Sequence, residues 1–170
     1  MRKNLILIGL PGSGKTTVGR LTAARLGLPF ADCDTLIETA EGMTIPAIFD
    51  RKGEPYFRAA ESRILADLCG GSGRVIATGG GAVVEEKNRN TIKRSGFVVF
   101  LDRDIGDIAG CVGNRERPVL RKCTLEELAA QRRAWYLACA DAVVDGRTAE
   151  ELAERITEIR RSAFQEDAGF

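Results

Sequence analysis

The apolar residues of this chain fall into short continuous runs that are separated by longer segments of mixed polarity. Such runs are typical of strands that are buried on both faces of a parallel sheet. The second run passes into two aspartates, and alternation along a strand would place both carboxylates on one side. The runs predict five strands, at residues 5–8, 28–34, 74–78, 97–101 and 142–145.

The segments between these runs carry the signals that start and stop helices. Pro46 and Pro55 each stand in the first turn of a predicted helix. Thr124 and Thr148 each open the capping-box pattern T-x-x-E. Gly27 is placed to end the first helix. Strands that alternate with helices predict a three-layer α/β/α fold with a five-stranded, mostly parallel sheet.

Length and charge narrow the class of protein. With 170 residues the chain is long enough for a single domain over 1–170, with its core at about 5–160. Lys and Arg number 25 against 24 Asp and Glu, so the charge balance favours neither a nucleic acid nor a membrane as partner. No apolar run has the length of a membrane span, and the first run is needed as a strand rather than as a signal peptide. We therefore expect a cytoplasmic protein.

The use of cysteine and histidine excludes several kinds of chemistry. The five cysteines are odd in number and never form C-x-x-C, which argues against a disulfide framework and against a zinc site. The chain has no histidine, which excludes His-dependent triads, His-ligated metals and imidazole bases. Proton transfer would have to use carboxylates, lysine or water.

One stretch matches a phosphate-binding loop at every fixed position. Residues 9–16 read GLPGSGKT, which is G-x-x-x-x-G-K-[ST] between a predicted strand and a predicted helix. Backbone N–H groups of such a loop surround a phosphate at the positive end of the helix. Lys15 would contact the β- and γ-phosphates, and the Thr16 hydroxyl would bind Mg²⁺, whereas a plain glycine turn would account for neither residue. The predicted nucleotide-binding residues of the loop are Gly12, Ser13, Gly14, Lys15, Thr16 and Thr17.

Two further groups of residues follow predicted strands. Asp32 and Asp34 end the second strand, and three glycines at residues 79–81 end the third. Ligands of open α/β sheets bind at the carboxyl ends of strands, so both groups are expected to face the phosphate site. Three glycines also indicate a backbone that another group approaches closely. The alternatives are that Asp34 or Thr35 caps a helix and that the glycines form a flexible connector.

The helix predicted to begin near residue 53 carries two charges of opposite sign on one face. Arg58 and Glu61 are three residues apart and can touch. One interpretation is therefore an ion pair on a solvated helix surface.

A basic loop at about residues 113–123 breaks all periodicity and contains four cationic residues. A loop of this length in a compact nucleotide-binding domain favours a lid over a charged surface connector. The tail at about 166–170 is expected to be frayed.

Taken together, these motifs resemble the shikimate kinase family, a P-loop NTPase fold similar to that of the nucleoside-monophosphate kinases. The resemblance runs from residue 5 to about residue 159. The phosphate loop alone is shared by many NTPases, but the combination of motifs is far narrower. The segments that carry it are GLPGSGKTT from Gly9, DCD from Asp32, IFDRKGEPYFRAAE from Ile48, TGGGAV from Thr78, RPVL from Arg117 and RRAWY ending at Tyr136.

The resemblance implies transfer of the γ-phosphoryl group of ATP to the 3-hydroxyl of shikimate, with Mg²⁺, in aromatic amino-acid biosynthesis. It implies ATP and shikimate as small-molecule partners of a monomer, a substrate-binding segment at about 33–61 and a lid at about 113–123. The implied catalytic residues are Lys15, Asp34 and Arg117, and Arg117 also contacts the nucleotide phosphate. The implied magnesium site is Thr16 with Asp32. The implied shikimate-binding residues are Asp34, Arg58, Gly79, Gly80, Gly81 and Arg132.

The chemistry of the implied substrate agrees with these residue types. Shikimate is a triol that bears a carboxylate, so two arginines suit the carboxylate and Asp34 can accept hydrogen bonds from the hydroxyls. Asp34 is also the best available proton acceptor for the attacking hydroxyl. In a loose phosphoryl-transfer transition state, positioning and charge stabilisation matter more than early deprotonation.

The chain departs from the family pattern at two places. The arginine that often stacks on adenine before the lid has no counterpart, because residues 109–113 read AGCVG. Arg115 and the turn at residues 145–147 are the candidates to hold adenine instead. Arg132 is followed by Arg133, and Arg132 is chosen as the substrate residue because it precedes Tyr136 by four positions.

Two other functions stay open at this point. Another small-molecule kinase, such as a gluconate kinase, would share the phosphate loop without needing the GExxFRxxE helix. A nucleotide-gated binding module without turnover is the alternative from a different class, although the intact set of Lys15, Asp32, Asp34 and Arg117 argues against it.

Overall fold

The computed structural model describes residues 3–111 and 123–166. Its centre is a sheet of five strands, all parallel, in the order β2-β3-β1-β4-β5. This sheet and its alternation with helices confirm the predicted fold class. The strands are β1 (Asn4–Ile8), β2 (Phe30–Asp32), β3 (Val75–Ala77), β4 (Gly96–Leu101) and β5 (Ala142–Val144).

The helices connect the strands and cover both faces of the sheet. Within the described residues they are α1 (Lys15–Leu26), α2 (Cys33–Glu41), α3 (Ile45–Lys52), α4 (Glu54–Gly70), α5 (Glu86–Ser95), α6 (Ile105–Cys111), α7 (Leu125–Cys139) and α8 (Ala149–Glu166).

Strand β1 lies at the middle of the sheet and contributes to the core on both sides. Ile6 and Ile8 belong to one apolar cluster, whereas Leu5 and Leu7 belong to another, and all four are fully buried. Burial on both faces explains why the sequence of this strand is a continuous apolar run. Each such side chain contributes on the order of 1.5–3 kcal/mol to the free energy of unfolding. The strand that precedes the phosphate loop is therefore packed in the core on both of its faces.

Helices α2, α3 and α4 share a small apolar cluster of their own. Ile64 of α4 packs against this cluster and also against the cluster that contains Ile6. At the outer edge, the Glu41 carboxylate accepts hydrogen bonds from Lys52 at 2.9 Å and from Tyr56 at 2.8 Å. The fully or nearly fully buried members of the cluster are Ile37, Ile48, Phe57 and Ala60.

Strand β2 is shorter than the sequence predicts. It ends at Asp32, and Cys33 already begins α2. Asp32 is the N-cap of α2, since its Oδ1 accepts a hydrogen bond from the Thr35 N–H at 3.1 Å. The predicted strand is therefore wrong beyond Asp32, and so is the alternative that Asp34 or Thr35 caps this helix. The two aspartates nevertheless line one pocket, as expected. One aspartate both ends a strand and caps a helix here, which a pattern of alternating residues does not reveal.

The predicted helix ends are confirmed. Gly27 ends α1 with a left-handed φ of 63°, and the Thr44 hydroxyl caps α3. Thr124 and Glu127 form a complete capping box at the start of α7. At α8 the Thr148 hydroxyl caps the Glu151 N–H, but the Glu151 carboxylate accepts from the N–H of Arg147 rather than from that of Thr148.

Residues 113–122 of the predicted lid, with Arg115 and Arg117, and the tail beyond residue 166 lie outside the described residues. The four cysteines whose side chains the structure describes are free thiols: Cys33, Cys69, Cys123 and Cys139. Over the same described part of the chain, no helix combines the length and the apolar character that crossing a membrane requires.

Candidate active site

The phosphate loop connects β1 to α1 and is shaped by its glycines. Gly12 and Gly14 have φ values of 83° and 89°, which residues with a side chain rarely adopt. Gly14 is also the N-cap of α1, and no side chain among the described residues caps that helix. The N–H groups at the start of α1 are therefore available to an anion, at the end where the helix dipole is positive.

Lys15 folds back over the loop from which it extends. Its Nζ donates hydrogen bonds to the carbonyls of Gly9 at 2.9 Å and Leu10 at 2.8 Å, and to Ser13 Oγ at 3.3 Å. The residue is only 7% exposed, so its ammonium is held inside the loop by carbonyl groups. These contacts keep a cation at the centre of the predicted phosphate site.

Thr16 and Asp32 lie together although they are sixteen positions apart in the sequence. The Thr16 hydroxyl donates to Asp32 Oδ2 at 2.6 Å. A hydroxyl and a carboxylate are hard oxygen ligands, and Mg²⁺ is commonly bound by one or two protein oxygens with substrate phosphates and water completing its shell. The pair fits that ion. No cluster of three or more acidic or cysteine side chains that could hold a metal by itself occurs within the described residues.

A pocket of about 330 Å³ opens beside this pair. Asp34 lies on its wall together with Asp32, since Asp32 caps α2 and Asp34 lies in the first turn of that helix. Asp34 thus reaches the predicted place, but through a helix rather than through strand alternation. One side of the pocket is apolar, and there the rings of Phe49 and Phe57 lie 4.7 Å apart.

The three glycines after β3 line the same pocket, and each is approached closely. A Cβ on Gly79 would lie 2.5 Å from Glu61 Oε1, and one on Gly80 would lie 2.7 Å from Pro11 of the phosphate loop. A Cβ on Gly81 would lie 2.7 Å from Arg58 Cζ. The predicted close approach is confirmed at these positions, and the flexible-connector alternative is not supported.

Arg58 enters the pocket from α4 and is held by two carboxylates. Its Nη1 lies 2.7 Å from Glu61 Oε2 and its Nη2 lies 3.2 Å from Glu54 Oε1. The side chains of Arg58 and Glu61 are 10% and 1% exposed. The interpretation as an ion pair on a solvated helix face is therefore wrong, because this pair is buried at a pocket wall.

Burial sets the electrostatics of this pair. It raises the pKa of the Glu61 carboxyl, an effect that Arg58 opposes and the charge of Asp34 reinforces. Burial also opposes the charge on Arg58, but the carboxylates of Glu61 and Glu54 outweigh it and hold the pKa of Arg58 above its usual value. Arg58 is accordingly a fixed cation on the wall of the pocket.

Two neighbouring arginines of α7 point to different places. Arg132 is 5% exposed, lines the pocket and donates to the Gly80 carbonyl at 3.2 Å. Arg133 is half exposed and instead pairs with Asp102 at 2.5 Å. The structure thus brings Arg132, and not Arg133, together with Arg58.

Tyr136 is a further support of the pocket that the sequence did not single out for this role. Its hydroxyl donates to the Gly80 carbonyl at 2.5 Å, one helical turn beyond Arg132. Burial raises the pKa of Tyr136 to about 12, with Arg132 partly opposing that shift. The phenol is therefore a neutral donor that holds Gly80 against Pro11.

A second cavity, of about 490 Å³, surrounds the phosphate loop and joins the first one. The two share Thr16, Asp32, Asp34 and Gly80. Of the predicted nucleotide-binding residues, Gly12, Gly14, Lys15, Thr16 and Thr17 line the loop cavity, and Ser13 is buried beneath Lys15.

The loop cavity also contains Arg103 and Arg147, which come from outside the loop. Arg147 belongs to the turn proposed for adenine, whereas Arg103 was missed. In the sequence, Arg103 could have been identified by its position just after the carboxyl end of β4, because ligands of parallel sheets bind there.

Comparison with known proteins gives consistent results. A family model described as shikimate kinase matches residues 11–161. The shikimate kinase of Pseudomonas syringae pv. syringae is 45% identical over 148 residues, which is 84% of this chain and 86% of that protein. The shikimate kinase of Symbiobacterium thermophilum is 42% identical over 164 residues, covering 91% of this chain and 94% of the relative. The structure of shikimate kinase from Acinetobacter baumannii in complex with shikimate superposes with a TM-score of 0.91 at 34% identity, over 96% of this chain and 95% of that one.

Proposed function

The chain belongs to the shikimate kinase family, and on that premise we propose that it transfers the γ-phosphoryl group of ATP to the 3-hydroxyl of shikimate. The observation that carries this assignment is the junction of the two cavities. A pocket with two buried arginines opens onto the phosphate loop through Thr16, Asp32, Asp34 and Gly80. An acceptor bound there would present a hydroxyl directly to a phosphate in the loop.

On the nucleotide side, the loop supplies both backbone and side-chain donors. The uncapped N–H groups at the start of α1 would hold the phosphates, and Lys15 would exchange its carbonyl partners for the β- and γ-phosphate oxygens. Because Lys15 is already held in the loop, little reorganisation is needed when charge develops. Residues 12–17 form the nucleotide-binding set in this proposal.

Thr16 and Asp32 would hold Mg²⁺ between the loop and the pocket. When bound, the ion would neutralise negative charge on the phosphate groups. Their hydrogen bond of 2.6 Å already places the two oxygen ligands side by side.

On the acceptor side, charge complementarity orients shikimate. Arg58 and Arg132 would bind the carboxylate, Arg58 as a planar fork held by Glu61 and Glu54. The backbone of residues 79–81 would lie against the ring, since nothing larger than glycine fits there. Asp34 would accept hydrogen bonds from ring hydroxyls and take the proton of the attacking one. Positioning supplies most of the effect, because the transition state of phosphoryl transfer is loose.

Arg117 and the lid at residues 113–123 complete the proposal. Arg117 would approach the transferring phosphate and stabilise its charge, although it lies outside the described residues. We propose a monomer as the working unit.

The test is ATP consumption with shikimate, with gluconate and with nucleoside monophosphates as separate acceptors, in the presence of Mg²⁺. We expect turnover with shikimate alone, and phosphorus NMR of the product should show an ester at the 3-oxygen. Turnover with gluconate or a nucleotide instead would reassign the substrate. Binding of ADP without turnover on any acceptor would favour the non-catalytic module.

A further inference from the structure

We propose that Arg103 positions the nucleotide by binding its phosphate groups beside Gly14 of the phosphate loop. This inference rests on the proposed use of ATP and adds to it a residue that none of the motifs contains. Arg103 follows β4, the strand beside β1, from which the phosphate loop emerges. The chain therefore carries a second cation at the carboxyl edge of the sheet.

The guanidinium of Arg103 stands next to the start of α1. Its Nη1 lies 3.6 Å from the place that a Cβ on Gly14 would occupy. Gly14 is the residue at which α1 begins without a side-chain cap. Arg103 thus adds a full positive charge at the point where uncapped N–H groups and the helix dipole already favour an anion.

The position of Arg103 is fixed by a neutral partner. Its Nη2 donates to the carbonyl of Arg147 at 2.8 Å. Its Nε is buried, and within residues 3–111 and 123–166 it has no hydrogen-bond partner. A carbonyl orients the guanidinium without neutralising it.

Two acidic side chains near Arg103 pair with other arginines, and three more, Asp104, Asp107 and Glu151, line a cavity that Arg103 also lines. Asp102 pairs with Arg133 at 2.5 Å, and Asp145 pairs with Arg155 at 2.8 Å. In the part of the chain that the structure describes, no carboxylate lies within ion-pair distance of Arg103. The charge of Arg103 is therefore available to a bound anion.

Arg103 also lies where two cavities meet. The loop cavity of about 490 Å³ and a neighbouring cavity of about 650 Å³ share only Arg103 and Arg147 among their described lining residues. A nucleotide with its phosphates in the first cavity would extend its nucleoside past Arg103 into the second. The Lys15 ammonium is held by the carbonyls of Gly9 and Leu10, whereas the Arg103 guanidinium lies beside Gly14. Arg103 is thus placed to bind the phosphate nearest the nucleoside, with the two-pronged geometry that guanidinium groups offer phosphates.

A purely structural role is the competing explanation, because the bond to the Arg147 carbonyl also braces the turn between β5 and α8. A substitution that removes the charge of Arg103 but keeps a hydrogen-bond donor distinguishes the two roles. Arg103→Gln retains a side-chain N–H donor for that carbonyl and loses the cation. Arg155→Ala is the matched control, because it removes a guanidinium that supports the same turn and lines only the neighbouring cavity.

The experiment is titration calorimetry with ADP and, separately, with inorganic tripolyphosphate. A charge-assisted contact is worth on the order of 1.5–3 kcal/mol, so Arg103→Ala and Arg103→Gln should each weaken both ligands roughly tenfold to a hundredfold. Arg155→Ala should leave both affinities within about twofold of wild type. Thermal melts identify folded variants, and Arg103→Gln carries the test if Arg103→Ala does not fold.

Three outcomes would overturn the inference. Wild-type affinity in Arg103→Gln would mean that Arg103 is only a brace. Weaker ADP binding with unchanged tripolyphosphate binding would place the contact on the nucleoside. Equal losses in Arg103→Ala and Arg155→Ala would attribute the effect to the turn.

Steady-state kinetics give two KM values that a purely structural role of Arg103 would not change in the following way. Arg103→Gln should raise the KM for ATP by the same factor as the loss in ADP affinity, and leave the KM for shikimate unchanged. The titrations contain no shikimate, so a wild-type protein that fails to phosphorylate shikimate would refute the proposed function and leave the result for Arg103 intact.

Discussion

The phosphate loop is adjacent to the pocket of about 330 Å³ that contains Arg58 and Arg132, which we call the acceptor pocket. The two regions are built in different ways. The loop is a contiguous segment whose proposed binding groups are backbone N–H donors and two neighbouring side chains, Lys15 and Thr16. The pocket takes its polar groups from α2, α4, the glycines after β3, and α7. A contiguous site depends on local backbone geometry, whereas a pocket assembled from four segments depends on how those segments pack. The two regions should therefore respond differently to substitution.

The largest effect is expected in the loop, where Lys15→Met should lower kcat by roughly a thousandfold or more. Methionine keeps most of the aliphatic stem but cannot provide a charge to the phosphates. Steady-state turnover with saturating ATP and shikimate measures the effect, and a cooperative thermal melt is the control for folding. Activity near that of wild type would refute the role of the loop.

In the pocket, Arg58→Ala should act on binding and stability together. Loss of a charge-assisted contact should weaken shikimate binding roughly tenfold to a hundredfold while leaving ADP affinity nearly unchanged. The substitution also leaves Glu61 buried without its partner, at a cost of about 3–5 kcal/mol in the free energy of unfolding.

Calorimetry with shikimate and denaturant unfolding separate these two effects of Arg58. Arg58→Lys should recover the affinity only in part, since an ammonium lacks the planar fork. Glu54→Ala is the matched control, because Glu54 is 41% exposed and should contribute less than about 1 kcal/mol. Unchanged shikimate affinity in Arg58→Ala would refute the proposed role of Arg58 in binding the carboxylate.

The adjacent arginines of α7 offer a comparison within the pocket itself. Arg132→Ala should raise the KM for shikimate by roughly tenfold or more, because the side chain is buried against Gly80. Arg133→Ala should leave that KM unchanged and cost less than about 1 kcal/mol of stability, since the pair with Asp102 is half exposed. The reverse result would shift the substrate residue by one position along α7.

The smallest effect concerns Tyr136, which supports the joint between the two regions. Its folded-state pKa of about 12 exceeds the unfolded value of about 10, so the folded state binds more protons between these values and stability falls as pH rises above 10. Tyr136→Phe should cost about 1 kcal/mol at neutral pH through loss of the bond to Gly80. The difference in free energy of unfolding between wild type and Tyr136→Phe should shrink as pH rises from 9 to 11. A constant difference would contradict a buried neutral phenol.

The same contrast explains how far the sequence alone could lead. Five strands, their parallel arrangement and the residues of the loop follow from local patterns, because continuous apolar runs and Gly12, Gly14 and Lys15 have local causes. The predicted second strand is too long, because Asp32 both ends β2 and caps α2. Local spacing correctly placed Arg58 beside Glu61.

Local spacing could not show what surrounds that pair. Burial of Glu61 depends on the glycines after β3, which are adjacent only in the folded chain. Arg103 carries no motif at all, and its proximity to Gly14 arises from the order of strands in the sheet. Contacts between distant segments are the part that a linear pattern does not contain.

The separate apolar cluster of α2, α3 and α4 has a consequence for hydrogen exchange. Among the described residues, α3 packs its apolar side chains only into this cluster, whereas Leu65 and Leu68 of α4 and Cys33 of α2 belong to the cluster that contains Ile6. A segment with so few links to the main core can open at a lower free energy than the whole protein. The amides of α3 should therefore exchange faster than those of β1 and β4, without global unfolding. In such an opened state the acceptor pocket would lose its apolar side while the phosphate loop kept its shape. Shikimate should then protect the amides of α3 far more than those at the start of α1.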